Sequence, residues 1–455
     1  MSVRVDLPSE PMISSEKGGQ PAVSTAKCEL NTRANLETSA SRKTLKSSDC
    51  PHVFFGPYLS HIAPEEYFEK INRFVSFLDN QNVKIIMAMR KYGLRNLQLI
   101  ANKTNIPRPT VHARVSKLEK EGLFRTWVHP NYAKLGLVRA MVFLTTKPGK
   151  ELLAPEALRV PGYWLRLIRC MGECNGYYST HAIPLEKRWD FEQYLERIVA
   201  SGIATGYRLL WLEEAGSPLP DFSYYDTRKK TWTFDWPRWL DALAAKPAQA
   251  QRREMFLPSP FDKKDLIILK ELIKDGRTKL TELAQLLGMT VPAVKYRFDN
   301  LAKSGFIREY VIDMLPFAPE ISDLYEMVLD FETREGLALG EKILSSLPMV
   351  LTLSRVEGAN SIAVRIYLPR TQMNNLLTMF SALTRRGVLA GFTYVLLDPM
   401  TIRTQTFAYK FYEDSTGWHY DNLEYFEDLR KVSSAFDREN GMRVIFQTAP
   451  VPSFQ

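Results

Sequence analysis

Residues 261–310 read FDKKDLIILKELIKDGRTKLTELAQLLGMTVPAVKYRFDNLAKSGFIREY. Leu266 and Leu269 belong to an apolar series at helical spacing, and Asp275-Gly276 is typical of the end of such a helix. A second helix is predicted over Leu280–Leu287, with Thr and Glu in its first turn. The stretch therefore begins with two short helices separated by a turn.

A glycine turn and a third helix follow in the same stretch. Gly288 stands where the chain must enter the left-handed region, which glycine does at no steric cost. Val291-Pro292 predicts the start of the third helix, because proline is tolerated in a first helical turn. Gly305 ends that helix, and residues 306–310 alternate as a short strand. This arrangement predicts a winged helix-turn-helix.

The same plan occurs 183 residues earlier in the chain. The identical pairs at this offset include Ile85 with Ile268, Leu97 with Leu280, Ala101 with Ala284, Pro109 with Pro292, Arg114 with Arg297, Gly122 with Gly305, and Arg125 with Arg308. Asn105 replaces the turn glycine in the first copy, and asparagine tolerates the left-handed region better than most residues. The matches continue past the helices, with an offset of 185 or 186. The ordered series indicates a tandem duplication.

Each copy continues with elements in the order βαββαβ. The first copy predicts strands over Val138–Thr145, Trp164–Cys170, Tyr177–Ile183 and Gly206–Leu212, and helices over Glu151–Leu158 and Trp189–Ala200. The second copy predicts strands over Tyr325–Phe331, Val350–Val356, Ser361–Leu368 and Phe392–Leu397, and helices over Gly336–Leu347 and Met373–Arg385. The fold class is therefore α+β, with a ferredoxin-like module after each winged helix-turn-helix. The open face of each sheet is expected to pair with the other module or with a second copy of the chain, giving a homodimer.

Composition places the domain boundaries. The expected divisions are a disordered tail at 1–50, a leading helix at 51–79, winged helix-turn-helix domains at 80–130 and 261–315, ferredoxin-like modules at 135–243 and 322–432, a linker at 244–260, and a loose tail at 433–455. Each module includes an aromatic extension, Tyr224–Trp239 or Phe411–Tyr425. We expect these extensions to cover the open edge or face of their module.

Positive charge is concentrated in the two helix-turn-helix segments of a chain with net charge +9. Residues 80–126 contain ten basic and two acidic side chains, and residues 261–310 contain ten and seven. The third helix of such a fold enters the major groove of DNA, where Arg, Lys and Asn contact base edges and phosphates. The candidate DNA-binding residues are Arg108, Thr110, His112, Arg114, Lys117, Arg125, Lys295, Tyr296, Arg297, Asn300 and Arg308. The first copy is expected to bind DNA more strongly than the second, with Arg114 contributing more than Arg297.

Other classes of function find little support in the sequence. No apolar run is long enough to span a membrane and no signal segment precedes the first domain, so a cytoplasmic location is expected. Cys170 and Cys174 are expected to be reduced and buried rather than metal-bound, because no second pair of ligands stands at zinc-site spacing. No catalytic motif is present and the six histidines are not clustered, so neither a catalytic residue nor a cofactor is expected.

The combination resembles the leucine-responsive regulator and asparagine-regulator (Lrp/AsnC) family of transcription factors. Residues 261–310 follow its pattern of Asp, Asp-x-x-Ile-Leu, Asp-Gly-Arg, Glu-Leu-Ala, Gly, Val-x-x-Arg and Gly-x-Ile. A weaker version, NLQLIANKTNIPRPTVHARVSKLEKEGLFR, starts at Asn96, and the resemblance covers most of residues 80–215 and 261–400. It implies a regulator that binds duplex DNA, pairs through its sheets and responds to a small-molecule effector. Two units in one chain imply a built-in pseudo-dimer.

The resemblance is incomplete in the loop after the second sheet strand. The family often has Gly-x-x-Asp there, whereas this chain has no aspartate, so an amino-acid ligand does not carry over. The candidate effector residues are Gly172, Asn175, Gly358 and Asn360. Two other functions stay open. Tetrapyrrole (siroheme-type) decarboxylases share the same two-part plan, and a winged helix can also serve as a protein-interaction scaffold without binding DNA.

Overall fold

The computed structural model describes residues 76–122, 124–213, 215–245 and 260–448, with side chains as far as 438. The predicted tail at 1–50, most of the leading helix and most of the linker lie outside these residues. The predicted loose tail from 433 is helical as far as Thr448, which corrects that expectation. Among the described residues, no helix is both long and apolar enough to cross a bilayer.

The first repeat contains both predicted parts. Its helix-turn-helix consists of α1 (Asn80–Tyr92), α2 (Leu97–Thr104) and α3 (Arg108–Lys120), followed by β1 (Phe124–Pro130). Its module consists of β2 (Leu137–Thr146), α4 (Leu153–Arg159), β3 (Trp164–Gly172), β4 (Gly176–Pro184), α5 (Arg188–Ala200) and β5 (Ala204–Leu212). The extension forms a short hairpin of β6 (Tyr225–Asp226) and β7 (Thr231–Trp232), then α6 (Trp236–Leu243). The predicted βαββαβ order is confirmed here.

The second repeat follows the same order. Its helix-turn-helix consists of α7 (Lys263–Lys274), α8 (Leu280–Leu287) and α9 (Val291–Lys303), followed by β8 (Ile307–Met314). Its module consists of β9 (Ser322–Phe331), α10 (Arg334–Leu344), β10 (Val350–Arg355), β11 (Ser361–Pro369), α11 (Met373–Arg385) and β12 (Leu389–Leu397). Its extension contains β13 (Arg403–Thr404), β14 (Tyr412–Glu413), β15 (Gly417–Trp418) and α12 (Asn422–Thr448).

The strand after each recognition helix pairs with its counterpart in the other repeat. Strands β1 and β8 form a two-stranded antiparallel ribbon in which Phe124 lies opposite Met314. The sequence predicts both segments as wing strands, and each finds its hydrogen-bonding partner in the other half of the chain. The strand that directly follows each helix-turn-helix therefore joins one repeat to the other.

The two modules join into one closed sheet. The strand order β10-β11-β9-β12-β3-β4-β2-β5 contains the ferredoxin-like order twice, and Leu397 of β12 pairs with Cys170 of β3. At the far end, Leu212 bridges to Val356, and the amide of Glu213 donates to the Arg355 carbonyl at 3.0 Å. Because this second junction repeats the first with the two halves exchanged, the eight strands close into a barrel with approximate two-fold symmetry.

The aromatic extensions exchange places between the repeats. Helix α6 of the first repeat packs on α10 and α11 of the second, and α12 of the second packs on α4 and α5 of the first. The indole Nε1 of Trp232 donates to the Pro316 carbonyl, and that of Trp418 donates to the Leu135 carbonyl, both at 2.7 Å. The extensions thus cover the outer helices of the opposite module, which corrects the expectation that they cover an open edge or face of their own.

The hydrophobic cores mix the two repeats for the same reason. One core combines the first helix-turn-helix with the second module and the first extension. The other core combines the second helix-turn-helix with the first module and the second extension. Separating the repeats would expose both cores, so the two halves fold as one interlocked structure.

Candidate nucleic-acid interface

Each recognition helix is fixed by a narrow apolar stripe and by the turn before it. Val111, Val115 and Leu118 bury one side of α3, and the corresponding stripe of α9 contains Val294 and Leu301. The turn residues Asn105 and Gly288 both lie in the left-handed region, with φ of 56° and 61°, as the sequence predicts. The opposite side of each helix faces outward.

Two of the predicted DNA contacts are instead ion pairs inside their own domains. The Arg114 Nη1 lies 2.7 Å from Asp79 Oδ2 and 2.9 Å from Asn82 Oδ1. Arg297 contacts both Asp262 and Asp265 at 2.8 Å. Because each guanidinium group ties α3 or α9 to the start of the first helix, these arginines position the recognition helices, and their DNA contacts stay a prediction.

The acidic partners are also the N-terminal caps of these first helices. Asp79 caps α1, and Asp262 forms a capping box with Asp265 at the start of α7. Partial burial would raise the pKa of Asp79, but hydrogen bonds from the Asn82 amide and from Arg114 outweigh this effect and lower it. The same balance lowers the pKa of Asp262. Both carboxylates therefore stay charged at neutral pH and keep their arginines engaged.

Arginines also hold the two helix-turn-helix domains against each other. Arg95 donates to the carbonyls of Gly276 and Thr278, at 3.2 and 2.6 Å. Arg277 forms an ion pair of 2.6 Å with Glu119. Arg125, a predicted DNA contact, donates to the Ile273 carbonyl at 3.0 Å and lines a cavity below the ribbon, which removes it from the DNA-facing surface.

The remaining candidates in the first repeat form an exposed face on α3. Arg108, His112 and Lys117 are exposed and Thr110 is half-buried. The nearest acidic group to the Lys117 Nζ is Glu121 at 3.9 Å, and 75% of the lysine side chain is exposed. The sequence analysis missed Lys103, Ser116 and Lys120, which are exposed beside this face. The offsets of Ser116 and Lys120 from the buried valines would have identified these two residues, whereas Lys103 belongs to α2.

The corresponding face of α9 is less basic. Lys295 is bound to Asp299 at 2.7 Å, and Asn300 is exposed. Tyr296 is 69% exposed, with Val291 at 39% and Leu286 at 56% beside it. Arg308 is exposed as well, but it belongs to strand β8 rather than to the recognition helix. The second face therefore combines apolar and neutral groups with one ion pair and one further exposed lysine, Lys303.

The candidate effector residues lie at two hairpin turns. The amide of Gly172 donates to Asn175 Oδ1 at 3.3 Å in the turn between β3 and β4. The Asn360 carbonyl accepts a hydrogen bond from the Phe331 amide, and Gly358 is exposed in the turn after β10. None of the four lines either of the two cavities of the barrel described below, so the structure adds no ligand-binding geometry to this expectation.

Comparison with known proteins identifies the helix-turn-helix segments. The family model described as winged helix-turn-helix DNA-binding matches residues 78–125 and 261–308. An HTH-type transcriptional regulator of Pyrococcus furiosus is 48% identical over 54 residues, which is 12% of this chain and 34% of that protein. The regulator LrpA of Pyrococcus abyssi is 44% identical over 55 residues, 12% of this chain and 39% of that protein. The chain contains two winged helix-turn-helix domains, and it is similar to these regulators over one such domain.

The similarity to known regulators is confined to part of each relative. A further regulator of Pyrococcus furiosus is 30% identical over 93 residues, and this match covers 62% of its length. The chain thus spans less than two thirds of the curated relatives it matches.

Solved structures resemble the chain at low sequence identity. LrpC of B. subtilis covers 29% of this chain over 91% of its own, with a TM-score of 0.25 and 21% identity. The siroheme decarboxylase NirDL covers 79% of this chain over 100% of its own, with a TM-score of 0.45 and 14% identity.

Proposed function

We propose that this protein is a sequence-specific transcriptional regulator that binds duplex DNA mainly through helix α3. The observation that supports the proposal is the exposed face containing Arg108, His112 and Lys117, within a segment that matches a DNA-binding family. Arginine can donate two hydrogen bonds to guanine, and lysine can neutralise a phosphate. The face thus has the groups needed for both base recognition and backbone binding.

The contacts between the two domains support a single asymmetric binding site. Arg95 and the Arg277–Glu119 ion pair join the two helix-turn-helix domains, and the β1–β8 ribbon joins them again below. Two dissimilar recognition helices held in a fixed arrangement would present one basic and one largely neutral face. We therefore expect an operator whose half-sites differ, in contrast to the palindrome that a symmetric dimer reads.

The proposal is tested by selecting bound fragments from a genomic library, including the region upstream of the gene itself, in the presence of competitor DNA. The selected duplex is then titrated with the full chain at 50 and 200 mM KCl. We expect at least one fragment to survive competition. We also expect its affinity to fall steeply with salt, because phosphate contacts release condensed counterions.

Two results of this titration would contradict the proposal. If no duplex is retained at 50 mM KCl, or if affinity does not change with salt, the winged helices do not neutralise phosphates. The protein would then act through other partners of these domains. A matched control is Arg208→Gln, which removes an arginine of the barrel far from the recognition helices and should leave DNA affinity within twofold.

A further inference from the structure

The interior of the barrel contains a cavity. A barrel of about eight strands has an interior that side chains fill or that holds one small ligand. Here the end next to the β1–β8 ribbon contains a partly open cavity of about 180 Å³. One water molecule needs roughly 15 Å³, and pockets for drug-sized ligands begin near ~300 Å³. The cavity therefore suits a small molecule.

The cavity lining carries more positive than negative charge. Its cationic side chains are four arginines, Arg125, Arg139, Arg166 and Arg365, and its carboxylates belong to Asp313 and Glu326. Arg365 donates to Glu326 Oε2 through both Nε and Nη2, at 2.9 and 2.7 Å, and both residues are almost completely buried. One of the four guanidinium groups is therefore paired with one of the two carboxylates of the cavity.

Two of the arginines form no direct ion pair, although their charges act on Glu326 and oppose the rise in its pKa that burial causes. Arg166 makes no hydrogen bond or ion pair with any residue in the described part of the chain. Arg139 donates from Nη1 to Ser354 Oγ at 3.0 Å, while its buried Nε has no partner there. Ser217, only 4% exposed, also lines the cavity with an unpartnered Oγ. Arg139 and Arg166 are half-buried and neither forms a direct ion pair, so their charges face the cavity and favour an anion there.

The barrel does not need these arginines for its architecture. The approximate two-fold symmetry places Leu324 at the position equivalent to Arg139, and Thr352 at the position equivalent to Arg166. The same sheet positions thus accept an apolar or a small neutral side chain in the other repeat. The arginines are additions to one half of the barrel, which favours a binding role over a structural one.

We propose that this cavity binds a small organic polycarboxylate, held by Arg139 and Arg166. Arginine binds carboxylates through paired, charge-assisted hydrogen bonds. Met141, Leu165 and Ile402 supply apolar surface for a carbon skeleton, which a purely inorganic anion would not use. The ligand would also lie against Trp127 of the ribbon that carries the DNA-binding domains. This binding site is independent of whether those domains bind DNA.

The proposal is tested by calorimetric titration of the full chain with citrate, inorganic phosphate and uroporphyrin III. The variants are Arg166→Thr and Arg139→Leu, which install the residues of the equivalent positions. Arg208→Gln is the matched control, because Arg208 lies in the same barrel, donates to Thr393 and lines a separate cavity. We expect citrate to bind the wild-type protein. Its affinity should be at least tenfold lower for either cavity variant and within twofold of the wild-type value for the control.

Thermal unfolding separates binding from folding. Citrate should raise the unfolding temperature of the wild-type protein but not that of Arg166→Thr, because a ligand stabilises only the state that binds it. Without citrate, Arg166→Thr should unfold at nearly the same temperature as the wild type, because Arg166 is half-buried and forms no direct ion pair. The proposal is overturned if citrate does not bind, if phosphate binds as tightly, or if the control loses as much affinity. Binding of uroporphyrin III in place of citrate would also overturn it, in favour of a tetrapyrrole ligand.

Discussion

The recognition helices α3 and α9 occupy equivalent positions but expose different chemistry. At three equivalent exposed positions the first domain has Lys103, Arg108 and Lys117, and the second has Leu286, Val291 and Asn300. Where the first domain has Ser116, the second has Asp299, which binds Lys295. The duplicated fold has thus kept its shape in both copies while only one copy retains a strongly cationic face.

Residues that are identical in both copies have a different role. Arg114 and Arg297 coincide, and so do their partners Asp79 and Asp262. These pairs attach each recognition helix to the first helix of its domain. In this duplicated chain, these identical ion pairs hold both recognition helices in place, while several exposed residues of the two faces differ.

The largest effect is expected from removing the cations of the first face. Arg108→Ala combined with Lys117→Ala should weaken operator binding about 100-fold and reduce the slope of log affinity against log salt by about two. The matched pair Val291→Ala and Asn300→Ala should change affinity less than threefold. Fluorescence anisotropy across a salt series measures both quantities. Equal losses of operator affinity in the two double variants would contradict the proposed difference between the two domains.

Acid should destabilise the chain through buried histidines of the first repeat. His129 and His181 are replaced by Ile312 and Ile366 at the equivalent positions. Burial lowers the pKa of both histidines to about 3, with Arg139 and Arg308 adding to the effect on His129.

The direction of the pH effect follows from these pKa values. The folded state keeps both imidazoles neutral, whereas the unfolded chain takes up protons below pH ~6.5, so stability is lost as pH falls from there towards 3. Each histidine should lower the free energy of unfolding by about 2 kcal/mol at pH 5. Urea unfolding at pH 7 and 5 measures the change. His181→Ile should lose its share of this dependence, while His419→Gln, at an exposed position, should retain it. Identical pH dependence of His181→Ile and wild type would contradict the assignment.

Placing the cations of the first face on the second domain should increase its affinity for DNA. Leu286→Lys, Val291→Arg and Asn300→Lys together place the side chains of the first face on α8 and α9. We expect about a tenfold gain in affinity for non-specific duplex DNA and a steeper salt dependence, because added phosphate contacts release more counterions. Unchanged affinity and slope would show that this face does not reach the DNA.

The smallest effect concerns the arginines within the ion pairs. Arg297→Ala leaves two carboxylates without their partner and should reduce the free energy of unfolding by about 1–2 kcal/mol, more than Arg114→Ala. Operator affinity should stay within threefold at a temperature where both variants are folded. Chemical unfolding and anisotropy supply the two readouts. A large loss of operator affinity with unchanged stability would show that these arginines contact DNA.

Much of the fold could be predicted from local sequence signals. Helical spacing, the turn residues Asn105 and Gly288, and the repeated βαββαβ order depend on neighbouring residues, so the printed sequence contains them. The outward side of α3 was predictable too, because Val111 and Val115 define the buried stripe. Arg114 stands next to that stripe, and its recurrence as Arg297 with a matching acidic cap was a signal of structural use.

The arrangements that could not be predicted all depend on distant parts of the chain. The pairing of β1 with β8, the closure of the barrel at Leu212 and Val356, and the exchange of the aromatic extensions involve segments more than eighty residues apart. Local periodicity is the same whether a strand pairs within its own repeat or with the other. The cavity with Arg139 and Arg166 appears only after these long-range contacts have closed the barrel.

The central claim, that the first domain reads DNA and the second contributes little, is tested most directly by site-directed DNA cleavage. Ser116→Cys and Asp299→Cys are equivalent positions, each to be labelled with iron–EDTA in a protein carrying Cys28→Ser and Cys50→Ser. Cys170 and Cys174 are buried and should not react. We predict strong, localised cleavage of the operator from position 116 and weak or no cleavage from position 299. Equal cleavage from both positions, or stronger cleavage from 299, would contradict the account.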